Sequence, residues 1–251
     1  MNCLHCNKNY CMSFVPIFQV LNRTEMDEIS KIISRQTFKK GEPIVLAGEM
    51  KKKFFVVHKG KVKITHISED GREQVIRIMR AGDFFGDLSL FKNTPLTTNA
   101  EALETVEICM LEGGPFKEIL RKTPDLLLNI LEHLSERLEK AEFQLSQMST
   151  QDVGQRLAAF ILEQATDSNQ DIFELPVNKT DAASLLGTSR ETLSRKLSFF
   201  QKQGYIQMSG RKVQICDRAE LESKLRGSTS EGASVPMSTT GPAQASCVDS
   251  Q

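Results

Sequence analysis

The sequence predicts an α+β chain in three successive parts: an N-terminal roll of short strands, a long helix, and a C-terminal winged helix-turn-helix. Three observations carry that prediction. Short β-type runs recur between glycine-bearing turns from about Lys40 to Glu112. Apolar residues then step along Leu131–Met148 with a period near 3.5. A helix pair with a glycine turn, a capping serine and clustered basic residues follows around Arg190.

Texture along the chain divides it into residues 1–14, rich in cysteine; 15–122, the roll; 123–150, a dimerisation helix; 151–226, the winged helix-turn-helix; and 227–251, a tail. The tail is mostly Ser, Thr, Gly, Ala and Pro. It has too few large apolar groups to offset its ordering entropy, so disorder is expected there. The 32 Lys and Arg balance the 32 Asp and Glu, so any surface for nucleic acid has to be local. No stretch approaches the ~20 apolar residues of a membrane helix, and the first residues lack the basic start and apolar middle of a secretory signal. A cytoplasmic protein without a membrane partner is expected. Thiols stay reduced there unless they bind metal or sense redox state, so six cysteines argue weakly for a disulfide framework.

The first element expected is a short helix within residues 15–23 and "TEMDEISKIISRQTF", with Thr24 as N-cap and Met26, Ile29, Ile32 and Ile33 on one face. The roll follows as "PIVLAGE", "FFVVHKGKVKITHI", "SEDGREQVIRIM", "AGDFFGDLSLF" and "VEICML". Within it Val62, Ile64 and His66 alternate with Lys61, Lys63 and Thr65, and Asp70-Gly71 marks a hairpin. Gly82 and Gly86 read as turn glycines.

In the long helix Leu131, Leu134, Leu138, Ala141, Leu145 and Met148 step by three, four, three, four and three. Charged residues fill the positions between. A helix packed on its own domain has a similar stripe, but this period held over nearly three heptads favours a partner helix, and a homodimer is predicted. "QDVGQRLAAFILEQ" is a further helix, and "MSGRKVQICD" a small hairpin in which Cys216 is expected to pack with Val213 and Ile215.

"NKTDAASLLGTSRETLSRKLSFFQKQGYI" matches a helix-turn-helix. Ala182, Leu185 and Leu186 face inward from the first helix, Gly187 permits the turn, Ser189 caps the second helix, and Leu193, Leu197 and Phe200 form its buried face. On the opposite face lie Arg190, Glu191, Ser194 and Arg195. Arg can bridge guanine O6 and N7, Glu can accept from cytosine N4, and Ser can meet any base. Between Lys179 and Lys212 seven basic residues face only Asp181 and Glu191, the local footprint of a phosphate-binding surface. Lys196, Lys202, Arg211 and Lys212 are assigned to phosphates. The histidines, His5, His58, His66 and His133, are scattered without catalytic or metal-triad spacing. His133 is expected in solvent. No enzyme is predicted.

These motifs resemble the CRP/FNR family of bacterial transcription regulators, over about residues 15–222. "SRETLSRKL" is the most specific piece. The cAMP receptor protein reads DNA through R-E-x-x-x-R, which Arg190, Glu191 and Arg195 reproduce. FNR uses E-x-x-S-R, which Glu191, Ser194 and Arg195 reproduce. "QRLAAFI" resembles the FNR segment that precedes its DNA-binding domain. The resemblance implies a cyclic-nucleotide-binding-like roll, a homodimer on a palindromic operator in double-stranded DNA, and RNA polymerase as a partner.

It also bears on the signal. Cyclic-nucleotide-binding members carry G-E-L and, about ten residues later, R-S, whose Arg pairs with the phosphate. Here Gly86-Asp87-Leu88 stands at the first motif and Thr97-Thr98 at the second, with Lys92 the nearest basic residue along the chain. Cyclic nucleotide is therefore not expected. FNR proteins instead hold a [4Fe–4S] cluster with an N-terminal C-x2-C-x5-C and one cysteine in the roll. This chain has Cys3, Cys6 and Cys11 as C-x2-C-x4-C, and Cys109 after an "ALET" stretch at the FNR offset. The resemblance implies that these four cysteines hold an oxygen-sensing [4Fe–4S] cluster. Zinc on the same thiolates, a thiol–disulfide switch between an N-terminal cysteine and Cys109, a small-molecule effector, or Cys109 as a small buried hydrophobe remain alternatives.

Overall fold

The structure is a computed structural model and describes residues 15–92 and 94–226. It divides into two compact units, one ending at Leu145 and the next beginning at Ser146. Cys3, Cys6, Cys11, His5 and the predicted tail lie outside the described residues.

In the first unit a 3-10 turn (Pro16–Phe18) leads to α1 (Arg23–Ile32). Its N-cap is Asn22, which forms a reciprocal capping box with Glu25, rather than the expected Thr24. The helix stops at Ile32. Residues "ISRQTF", expected to continue it, form strand β1 (Ile33–Phe38), paired antiparallel from Ile33↔Leu111 to Phe38↔Val106. The ladder with a distant strand outweighs the local helical pattern.

The roll continues with β2 (Pro43–Val45), β3 (Lys53–Lys59), β4 (Val62–Ile67), β5 (Glu73–Met79), β6 (Phe84–Phe85), helix α2 (Asp87–Lys92), β7 (Asn99–Ala102) and β8 (Val106–Glu112). They form two antiparallel sheets, ordered β1-β8-β3-β6 and β2-β7-β4-β5. Residues of both sheets, among them Phe55, Val57, Ile64, Phe85 and Ile108, make one core between the sheets. The other face of the first sheet, with Phe54, Val56, Cys109 and Leu111, makes a second core with Val15, Ile17, Phe18, Met26 and Ile29. Strand β3 is apolar throughout its centre because both its faces are buried.

The expected alternation in β4 fails. Lys63 and Thr65 are buried while His66 and Ile67 are exposed, and the pairing with β5 slips between Ile64 and Thr65. Lys63 is tolerated because its ammonium lies 3.3 Å from Glu73 and 3.6 Å from Glu101. Gly86 behaves as predicted: its φ is +85° and a Cβ there would stand 2.6 Å from the Lys53 carbonyl oxygen.

Helices α3 (Gly113–Lys122) and α4 (Pro124–Thr150) follow, and Phe116, Ile119, Leu120, Leu126 and Ile130 close the second core. The division between the units falls inside α4, five residues before its end.

The second unit comprises α5 (Val153–Ser168), β9 (Ile172–Glu174), α6 (Lys179–Leu185), α7 (Arg190–Lys202), β10 (Ile206–Ser209), β11 (Lys212–Ile215) and α8 (Arg218–Leu225). The predicted hairpin gains a third strand, in the order β10-β11-β9, and α8 packs on α5. No helix among the described residues is long and apolar enough to cross a membrane.

Candidate nucleic-acid interface and sensor elements

The helix pair is built by local capping. Asn178 Oδ1 accepts from the amides of Thr180 (2.8 Å) and Asp181 (2.9 Å) at the start of α6. Gly187 turns the chain with φ +60°. Ser189 Oγ accepts from the Thr192 amide at 3.2 Å and opens α7. Leu193, Leu197 and Phe200 are buried, which fixes the opposite face outward. Ala182 and Leu186 are buried as expected, with Ala183, while Leu185 is half-buried.

Arg190, Glu191 and Arg195 are exposed on that outward face and Ser194 is half-buried. Arg195 donates to Thr192 Oγ1 at 3.2 Å, so Thr192 holds the guanidinium that the motif assigns to a base. Ser194, Arg195, Ser198, Phe199 and Lys202 line a shallow concavity on α7. Phe199 was not among the predicted site residues. Its ring is 38% exposed, and its position four residues after Arg195 was the available signal.

The four residues assigned to phosphates separate. Lys202 and Lys212 are exposed. Lys196 is half-buried, its Nζ beside the first turn of α5, 3.6 Å from where a Gly154 Cβ would stand. Arg211 is exposed too but tied down: its Nε and Nη2 donate to the Leu175 carbonyl at 3.2 and 2.7 Å, and Glu174 lies 3.4 Å away. It ties the hairpin to β9. Arg156, in "QRLAAFI", also went unpredicted as a positioning residue. It donates to the carbonyls of Leu186 (3.0 Å) and Gln151 (2.5 Å), and so supports the turn before α7. Cys216, expected to pack, is exposed, because Val213 and Ile215 take the inward positions of β11.

On α4 the stripe divides in two. Leu126 and Ile130 are buried on the roll and Leu134 packs partly against the same core. Leu131, Leu138 and Leu145 are 57%, 60% and 68% exposed, and Ala141 and Met148 are exposed as well. Leu127, four residues before Leu131 and exposed, extends this second stripe by one position. His133 is half-buried rather than solvated, with its ring edge-on to Phe84.

Cys109 is buried in the core that contains Val15, Ile17 and Phe18. Asn129 Nδ2 of α4 donates to the carbonyls of Pro16 and Ile17. Among the described residues no group of three His, Cys, Asp or Glu is placed to hold a metal ion.

Asp87 is not without a cation, as its sequence neighbourhood implied. Arg137 Nη1 of α4 lies 3.5 Å from its Oδ1. Arg77 of β5 adjoins both, and burial first, then the Arg137 charge, bring its pKa down to about 10. The guanidinium at Asp87 comes from fifty residues on, which chain proximity did not disclose. At the other signature position Thr97 is exposed and Thr98 half-buried.

An outward basic reading helix on a capped, winged helix-turn-helix, carried in one chain with a β-roll, defines a DNA-binding transcription regulator. Residues 155–224 match the Crp-like helix-turn-helix domain and residues 35–123 the cyclic nucleotide-binding domain. Electron transport regulator A of Shewanella oneidensis is 31% identical over 224 residues, spanning 87% of this chain and 89% of that protein. The fumarate and nitrate reduction regulatory protein of Vibrio cholerae is 28% identical over 228 residues, 88% and 89% of the two chains. A cyclic AMP receptor protein of Thermus thermophilus is 27% identical over 207 residues, 82% and 95%. The chain belongs to the CRP/FNR family of transcription regulators.

Proposed function

We propose that this regulator is a cytoplasmic homodimer that reads a palindromic operator, works with RNA polymerase, and senses oxygen or redox state through a [4Fe–4S] cluster on Cys3, Cys6, Cys11 and Cys109. One observation carries the sensor half. Cys109 shares a core with Val15, Ile17 and Phe18, which begin four residues after Cys11, and Asn129 of the dimer helix holds the backbone of that same segment. Ligation of the cysteine segment to Cys109 therefore bears directly on residues packed against α4. The four cysteine thiolates would hold such a cluster, which would supply an iron–sulfur core that oxygen oxidises. The chain supplies the rest: Val15–Phe18 pack on the roll, Asn129 couples them to α4, and the exposed Leu131, Leu138 and Leu145 supply the partner-facing seam. Leu134, Ala141 and Met148 complete the seam, and none of the six carries charge, so the dimer persists without the cluster.

Dimerisation sets two copies of α7 about 34 Å apart, one turn of DNA. Arg190, Glu191, Ser194 and Arg195 read bases, while Lys196, Lys202 and Lys212 contact phosphates, with Arg211 bracing the wing as well. A cyclic nucleotide is not the signal in this reading, since Thr97 and Thr98 replace the phosphate-binding pair and Asp87 is engaged by Arg137.

The test is anaerobic purification followed by an absorption spectrum and iron, sulfide and zinc analysis, before and after air, with operator binding measured on each sample. A brown protein whose operator affinity falls as it bleaches is expected. A colourless anaerobic protein without iron or sulfide overturns the sensor reading. Stoichiometric zinc then selects the structural site, and a disulfide to Cys109 after air selects the thiol switch.

A further inference from the structure

The charged cluster on the roll is unbalanced within one chain. Asp87 is nearly buried and faces two guanidinium groups, those of Arg77 and Arg137. Arg77 Nε and Arg137 Nη1 are both buried and neither has a hydrogen-bond partner. The other carboxylate near Arg77 is Asp83, which is exposed and accepts from the Arg80 amide at 2.7 Å. A buried guanidinium N–H without a hydrogen-bond acceptor is costly, even with Asp87 3.5 Å from Arg137 Nη1, so the cluster favours one more carboxylate or an equivalent anion.

The heptad of α4 specifies where one comes from. With Leu131, Leu138 and Leu145 at a, and Leu134, Ala141 and Met148 at d, Arg137 falls at g and Glu142 at e. In a parallel two-stranded coil a g residue meets the e residue of the following heptad on the other helix. Arg137 therefore meets Glu142 of the partner subunit. The other such combinations along the seam are Ile130 with Ser135 and Gln144 with Ser149, which carry no charge. The one charged g–e combination thus falls where the roll is short of a carboxylate, and Glu142 is exposed in the single chain.

We propose that Glu142 of the partner subunit completes the Arg77–Asp87–Arg137 cluster. One guanidinium, that of Arg137, then joins the roll of its own chain to the helix of the other. The inference rests on the homodimer of the preceding section and adds its register and its charge partner. It makes the cluster a coupling point, since any shift of α4 along the seam that separates the partner's Glu142 from Arg137 also releases Asp87 and Arg77.

The dimer dissociation constant of the full chain, measured by sedimentation equilibrium, tests this with Glu142→Gln, Glu142→Arg, Arg137→Glu and the double swap. Two copies of the contact form per dimer. Glu142→Gln is expected to weaken the dimer roughly tenfold and each charge reversal roughly a hundredfold. The swap Arg137→Glu with Glu142→Arg is expected to recover most of that loss. Glu142 touches nothing essential to the fold of one chain, and circular dichroism identifies any variant that misfolds, in which case Glu142→Gln decides. A dimer indifferent to Glu142, or a swap no better than its single changes, overturns the inference and leaves the dimer standing. A wild-type chain that stays monomeric overturns both. A dimer strengthened equally by added phosphate in wild type and Glu142→Gln, with Glu142→Gln otherwise neutral, assigns the cluster to a small anion and overturns the role of the partner's Glu142.

Discussion

Asn129 on the long helix donates to the carbonyl oxygens of Pro16 at 3.2 Å and Ile17 at 3.1 Å, so one amide group closes a loop of more than a hundred residues. The contact joins the segment that follows the cysteines to the helix that carries the seam. Asn129→Ala removes the side-chain donor to both carbonyls, of which Pro16 keeps the Gln19 amide at 3.2 Å, and is expected to destabilise the roll unit by about 1–2 kcal/mol. Thermal unfolding measures that loss. Operator binding before and after air measures the second consequence, a smaller difference between the two states than in wild type. An unchanged difference contradicts the coupling.

Arg195 and Glu191 project from α7 without a buried partner of their own. Arg195→Ala and Glu191→Ala are expected to lose about 1–3 kcal/mol of discrimination per half-site, with nonspecific binding preserved. Lys202→Ala is expected to weaken all sequences alike and to reduce the salt slope by about one. Mobility-shift titrations over a salt series separate the two classes.

Arg156 acts behind the interface. Removing its bonds to Leu186 and Gln151 in Arg156→Leu is expected to cost the second unit about 1–3 kcal/mol. Operator affinity is expected to fall with that stability while base preference stays, because Arg156 is engaged by the carbonyls of Leu186 and Gln151. A change in preferred sequence, read by selection from a random library, contradicts this role.

His58 titrates below its ordinary 6.5, chiefly because it is part-buried and next because Arg35 is near. The unfolded chain therefore binds the proton more readily than the folded one. Stability from this residue is present above pH 6.5 and is lost as pH falls below it through the folded value. His58→Asn is expected to flatten that part of the stability–pH curve, measured by urea unfolding between neutral and mildly acidic pH. A curve of unchanged slope removes the assignment.

Gly86 sits at φ +85° with the Lys53 carbonyl oxygen 2.6 Å from the place of a Cβ. Gly86→Ala is expected to cost roughly 2 kcal/mol or more, since both the backbone conformation and the contact oppose it. Unfolding that matches wild type contradicts the close approach.

What was legible in the sequence is local. A turn glycine, a cap, a buried face and an outward basic face all lie within "GTSRETLSRKLSFF", so α7 and its outward residues follow from spacing alone. The apolar stripe of α4 follows likewise from its period. Where an element depends on a distant strand, local signals misled. "ISRQTF" follows an amphipathic helix without a break, yet it pairs along β8 as a strand. Lys63 reads as a solvent-facing residue of an alternating strand, yet it is buried, with its ammonium beside Glu73 and Glu101. Strand β9 is only Ile172–Glu174, too short to announce itself, and exists because β11 offers an edge. Helix α8 buries Leu221 and little else, so no stripe marked it.

By itself, then, the chain's pattern of residues determined the order of its parts, the outward basic face of α7 and the exposed apolar stripe of α4, because each arises from neighbours within a few turns. Tertiary structure alone decided that Arg211 and Arg156 are held by backbone carbonyls, that Cys109 shares a core with Val15, Ile17 and Phe18, and that Arg77, Asp87 and Arg137 meet. The reason is that these relationships join residues tens of positions apart. Burial and the closing of sheets choose such neighbours, and spacing along the chain carries no record of them.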